Sequence, residues 1–126
     1  KIKPVKVNHV VPSVGYIIKK EGSAFVYTGD TGATDRLWED ARDEPDLRFV
    51  IVEVSFPSSM EDIANASRHM TPHELGEALR KLRRNNIRVF VTHIKPQYMD
   101  VIKNELKEID SLSCVNILNV NDIIEW

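Results

Sequence analysis

A single cysteine, Cys114, occurs among the 126 residues, so no internal disulfide can staple the fold. A lone thiol fits a reducing compartment, and with Val115, Ile117 and Leu118 beside it Cys114 reads as buried and unreactive. No apolar run approaches the roughly 20 residues of a bilayer span, so no membrane partner is expected. The N-terminal KIKPVKVNHV lacks the apolar core of a signal peptide, and the expected location is cytoplasmic. A basic excess is missing too. The 17 basic and 19 acidic side chains leave a net charge of −2, a balance that makes non-specific nucleic-acid binding a poor expectation. The densest basic string, Arg80–Arg84, falls in a predicted helix and reads as a solvated face near its C-terminus, with a phosphate contact as the alternative. Repeats and low-complexity tracts are absent. What remains is a globular composition, 42% hydrophobic and 29% charged, enough for one domain over residues 1–126 and too little for two. The first residue is Lys1 and not Met, so a processed product or a piece of a longer protein is one reading from the first letter.

The patterning predicts short strands at 5–10 and 15–19, separated by Pro12 and bent at Gly15, and a third at Ser23–Thr28 after the turn Glu21-Gly22. That strand runs into the loop Gly29-Asp30-Thr31-Gly32. A short helix follows, with Leu37, Trp38 and Ala41 at helical spacing and Pro45 closing it. RFVIVEV at 48–54 is apolar on both faces, as in a parallel strand covered by helices. A short helix is expected over 59–67. Thr71-Pro72-His73-Glu74 opens another, with Thr as N-cap and Glu closing a capping box; Leu75, Ala78, Leu79 and Leu82 share one face as far as Asn85. Ile87–Thr92 reads as a buried strand, and a helix from Pro96 turns Tyr98, Val101, Ile102, Leu106 and Ile109 inward. Cys114–Leu118 is a last strand, and the tail to Trp126 is extended and partly packed. A meander followed by alternating helices and strands makes the class α/β.

Three polar residues share one address. Asp30 lies just past the strand at 23–28, Glu53 ends the strand at 48–54, and His93 follows the strand at 87–92, continuing the alternation of Val89 and Val91. Ligand sites of open α/β sheets gather beyond the carboxyl ends of the strands. Asp and His together suit zinc or a similar divalent ion. Each residue also admits a structural role: Asp30 as a turn residue between glycines, His93 as a satisfied histidine, Glu53 as the partner of an arginine.

The strings GYIIKKEGSAFVYTGDTG, IVEVSFPSS, ASRHMTPHEL and VFVTHIKP follow one another in an order and spacing that resemble the second half of metallo-β-lactamase-fold phosphodiesterases, over roughly residues 9–110. The nearest resemblance is to the class II 3′,5′-cyclic-nucleotide phosphodiesterases. It implies the C-terminal half of an αββα sandwich, with two divalent metal ions, zinc first and manganese or iron as alternatives, between the halves. By the resemblance Asp30 bridges both ions and His93 binds the second. His69 is the proton donor or phosphate contact, and Glu53 orients it. The substrate implied is a small-molecule cyclic nucleotide, hydrolysed to the 5′-nucleotide.

The family's His-x-His-x-Asp-His motif is not in the chain, whose histidines are His9, His69, His73 and His93. The expected partner is therefore a missing N-terminal half of the fold, since a half-sandwich would expose the apolar face of its sheet. A homodimer is compatible with the same reasoning. Ribonuclease Z, a tRNA 3′-processing endonuclease, is the alternative family. Only 12 residues separate Tyr16 from Gly29, room for a hairpin and not for a tRNA-binding arm, and HIKP differs from that family's usual His-Phe-Ser string. A non-catalytic interaction module on a degenerate half-fold is a further alternative, which retention of Asp30 and His93 disfavours. With most ligands absent, residues 1–126 alone should not cleave bis-p-nitrophenyl phosphate above a metal-free control.

Overall fold

The computed structural model describes residues 1–85, 87–109 and 115–126. Cys114, and with it the first position of the strand expected at Cys114–Leu118, lies outside the described residues. Six strands form one mixed sheet in chain order: β1 (Ile2–Lys6), β2 (Val14–Lys20), β3 (Ser23–Tyr27), β4 (Leu47–Glu53), β5 (Arg88–Thr92) and β6 (Val115–Ile117). The first three strands pair antiparallel, and β3 to β6 run parallel. Among the described residues there are four α-helices: α1 (Arg36–Arg42), α2 (Glu61–Ser67), α3 (Pro72–Leu82) and α4 (Met99–Lys107). The class is α/β, as expected. Among the described residues no helix is long and apolar enough to cross a membrane.

The first strand starts three residues and ends four residues earlier than the pattern suggests. β1 is the sheet edge and tolerates Pro4, which has no N–H to give a further neighbour, and its register Ile2↔Ile18 leaves residues 7–13 to form the loop. The parallel strands behave as their composition demands. Val26, Val50, Val52, Val89 and Val91 are fully buried beneath the helices, in one cluster with Leu37, Trp38, Leu75 and Ile102. Alternation sends Phe25, Phe49 and Phe90 to the opposite face. There Phe25 and Phe49 stack at 4.8 Å and Trp126, from the tail, packs edge-on against both. The tail is thus partly packed, as expected.

α1 ends at Arg42, three residues before Pro45, with Asp43 as its C-cap. The α3 start is as its sequence dictates: Thr71 Oγ1 accepts the Glu74 N–H, with Pro72 at the first helical position. α3 stops at Leu82, three residues before Asn85, because Arg83 takes a left-handed conformation at φ +50°. The basic string there does more than face water. Lys81 pairs with Asp35 and Arg84 donates to the Arg42 carbonyl, so both tie α3 to the ends of α1. At Pro96 the chain first makes a 3₁₀ turn over Pro96–Tyr98 and becomes α-helical only from Met99. Ile102 and Leu106 face inward, whereas Val101, expected beside them, is half exposed on the flank of that stripe.

Glu74 is buried, and desolvation pushes its carboxyl above the usual range; Glu61 and Glu77 add to this, while hydrogen bonds with Thr71 oppose it. A carboxyl whose folded pKa is raised keeps its proton longer in the native state than in the unfolded one. Its contribution is therefore greatest at low pH and is lost as pH rises through the carboxylate range. Glu74→Gln removes the titration and keeps the Thr71 cap. Its urea midpoint should fall less than that of the unsubstituted protein as pH rises from acid to neutral.

Candidate active site

The site gathers at the carboxyl ends of β3, β4 and β5, around a carboxylate that is 1% exposed. Glu53 Oε1 accepts the Thr31 N–H at 2.9 Å and His69 Nδ1 at 2.6 Å. Its Oε2 accepts the Ser55 hydroxyl at 2.8 Å and the Met70 N–H at 3.3 Å. Four donors satisfy the four acceptor positions of a carboxylate, which is what lets a charge sit in the core without a cation. The arginine partner that Glu53 alone suggested is not used.

Local backbone chemistry brings these donors in. The Gly29-Asp30-Thr31-Gly32 loop turns at Gly29, φ +60°. At Gly32 a Cβ would lie 3.2 Å from the Arg68 Cα, so glycine lets the loop close against the chain that carries His69. Thr31 is buried; its hydroxyl accepts the Asn8 N–H, and its own N–H is left for Glu53. α2 ends in a left-handed residue, Arg68 at φ +57°, and the His69 N–H returns to the Ala64 carbonyl. That reversal delivers the His69 ring to Glu53.

His93 departs from the strand pattern. β5 ends at Thr92, and His93 is left-handed at φ +65°, a conformation uncommon outside glycine. The alternation of Val89 and Val91 therefore does not extend to it. Its Nδ1 lies 2.9 Å from Ser55 Oγ and 3.7 Å from Asp30 Oδ1, and its ring centroid is 5.2 Å from that of His69. All four residues singled out from the sequence, Asp30, Glu53, His69 and His93, thus meet in one place.

Sequence reasoning missed three neighbours. Ser55, fully buried, lies between Glu53 and both histidine rings. Thr31 donates its backbone N–H, which no side-chain pattern announces. His9 sets its ring edge against His69 at 5.2 Å and borders an open cavity of about 620 Å³. Lys6, Arg36 and Arg68 line that cavity, with no carboxylate among the lining residues.

Glu53, His69 and His93 each offer one ligand atom, all within 4.8 Å of one another, so the group is of a kind that can hold a metal ion. The saturated hydrogen bonding of Glu53 argues that it serves from behind, leaving the imidazoles and the half-exposed Asp30 carboxylate as the outward donors. That donor set suits zinc or a similar ion.

A sheet with its polar constellation at the carboxyl ends and an Asp/Glu/His/His group there defines an α/β domain of the metallo-β-lactamase kind. A family model described as a β-lactamase superfamily domain matches residues 1–94, and the chain belongs to that superfamily of metal-dependent hydrolases. It is 30% identical over 101 residues to the "Zinc phosphodiesterase ELAC protein 2 homolog" of Caenorhabditis elegans, covering 79% of this chain and 11% of that protein. The metallo-β-lactamase fold protein YhfI of Bacillus subtilis shares the fold with a TM-score of 0.79 at 21% identity, over 98% of this chain and 49% of that one. Human tRNase Z, short form, does so at 0.71 and 16%, over 98% and 42%. The chain therefore spans half or less of the length of these relatives. At this level the comparisons show the superfamily and not a branch within it.

Glu53→Gln should be strongly destabilising, because its amide sets N–H against N–H at one end of the carboxylate's place. Each buried donor so orphaned costs about 1–3 kcal/mol, readable from urea unfolding.

Proposed function

We propose that the complete protein hydrolyses a phosphodiester in a metal-dependent reaction, with the site described above as its C-terminal share. The observation that carries this reading is the Glu53–His69 pair at 2.6 Å placed beside His93 and Asp30. Asp30 and His93 would hold metal, probed first with zinc and then with manganese or iron. Divalent ions bound there would acidify water and neutralise the charge of the phosphoryl group. The roles of the chain's own residues follow from their contacts. Glu53 holds the His69 proton on Nδ1, which orients the ring and leaves Nε2 to pass a proton to the leaving oxygen. The cations around the adjoining cavity suit an anionic substrate.

For the substrate, the reading is a small 3′,5′-cyclic nucleotide cleaved to its 5′-monophosphate. Support comes from the tight turn that joins β2 to β3 through Glu21 and Gly22, which leaves no room at that connection for an arm to hold a structured RNA. A second reading, tRNA 3′ processing, is supported by the likeness to the zinc phosphodiesterase ELAC and tRNase Z chains. An N-terminal half of the fold is the proposed partner, to lie on the aromatic face of the sheet, where Ile2 and Tyr27 are exposed.

Assays of the complete protein on cAMP, cGMP and a precursor tRNA at two salt concentrations separate the readings. Cyclic-nucleotide turnover with a shallow salt dependence is expected, and efficient tRNA trimming that weakens steeply with salt would select the second reading. Asp30→Asn should release metal and abolish turnover, and His93→Ala should release metal too; elemental analysis reads both. His69→Ala should keep its metal and lose about 10²–10⁴-fold in kcat, less on p-nitrophenyl esters, whose leaving group needs little protonation. Equal losses on both substrate types would make His69 a binding residue instead.

A further inference from the structure

We propose that Ser55 is a positioning residue: it holds the His93 proton on Nδ1 and so leaves Nε2 as that ring's ligand atom. The argument is a count of protons. A serine hydroxyl has one hydrogen to give and two lone pairs with which to accept. Three groups lie around the buried Ser55 oxygen: Glu53 Oε2 at 2.8 Å, His93 Nδ1 at 2.9 Å and His69 Nδ1 at 3.4 Å. Glu53 already accepts the N–H of Thr31 on one oxygen and that of Met70 on the other, and as a carboxylate it can only accept from the His69 ring and from Ser55 as well. The Ser55 hydrogen therefore goes to Glu53. The Ser55 oxygen is left able only to accept, and the short contact to His93 is a hydrogen bond only if the ring nitrogen carries the hydrogen.

His69 makes the opposite use of the same carboxylate. Its Nδ1 hydrogen points to Glu53 Oε1 at 2.6 Å, the shorter of its two contacts, and does not depend on Ser55. One buried carboxylate thus sets both imidazoles in the same tautomer, His69 directly and His93 through the serine. Asp30 does not replace the serine in this role, because its Oδ1 stands 3.7 Å from His93 Nδ1, beyond hydrogen-bond reach.

The metal half of the inference rests on the phosphodiesterase reading, but the tautomer half does not. The test is the ring-nitrogen NMR spectrum of the complete, metal-free protein at a pH well above the histidine range, together with zinc affinity by chelator competition. His93 should be Nδ1-protonated in the unsubstituted protein. Ser55→Ala should move that hydrogen to Nε2 or mix the two forms, leave His69 unchanged, and weaken zinc binding about 10–100-fold. Ser55→Thr, which keeps the hydroxyl, should restore both. An Nε2-protonated His93 in the unsubstituted protein overturns the proposal without any variant, as does a Ser55→Ala protein with unaltered tautomer and zinc affinity. If the tautomers behave as expected but the unsubstituted protein takes up no zinc, the phosphodiesterase reading fails and the Ser55 assignment stands.

Discussion

The hydrogen bonds of one buried carboxylate hold this site together. Glu53 is enclosed at the end of β4, and an ionised carboxylate in that position is tolerable only if each acceptor position is met. No lysine or arginine meets them. The donors come from three separate stretches: Thr31 in the loop after β3, Ser55 just beyond β4, and the His69-Met70 pair after α2. Because a missing donor would cost more than the hydrogen bond itself contributes, the need to satisfy Glu53 fixes how these stretches approach one another. The spacing of Asp30, His69 and His93 is a consequence, since each lies within two residues of a Glu53 donor or touches one.

The parallel sheet prepares the place and irregular backbone finishes it. Paired in parallel and buried on their helix-covered face, β4 and β5 end together, so the chains leaving them emerge on one side. Regular strand or helix would carry the next residues away. Arg68 and His93, both left-handed, turn the chain back instead, and the two imidazoles end 5.2 Å apart. Non-glycine residues hold such conformations where the surroundings over-determine them, and here hydrogen bonds on the Glu53 side supply that constraint.

The two faces of the sheet have different fates. Valines from four strands meet the helices in a closed core, while among the described residues the phenylalanines on the other side are covered by Trp126 of the tail and by the Arg88 guanidinium, which lies over Phe49 and Phe90 and donates to the Glu125 carbonyl. An aromatic sheet face with so thin a cover, in a chain spanning half or less of its relatives, is consistent with the proposal that the second half of a sandwich rests there.

The elements were legible wherever local physics governs. The valine-rich strands, the Thr71-Pro72 helix start and the Glu21-Gly22 turn each act through neighbours in sequence, and the three polar residues at strand ends, Asp30, Glu53 and His93, could be picked out before any geometry was known. Boundaries slipped where a distant partner decides: β1 takes its register from β2, and the inward face of α4 narrows after a 3₁₀ turn, leaving Val101 on the flank. What the sequence alone determined was the class of fold and that Asp30, Glu53 and His93 stand where strands end on one side of the sheet, because the hydrophobic runs that make strands are properties of the chain itself. Only the tertiary structure decided their roles. Ser55 and the Thr31 N–H became part of the site through contacts spanning up to 38 residues, and a hydroxyl or a backbone N–H carries no mark in the sequence of the carboxylate it will meet.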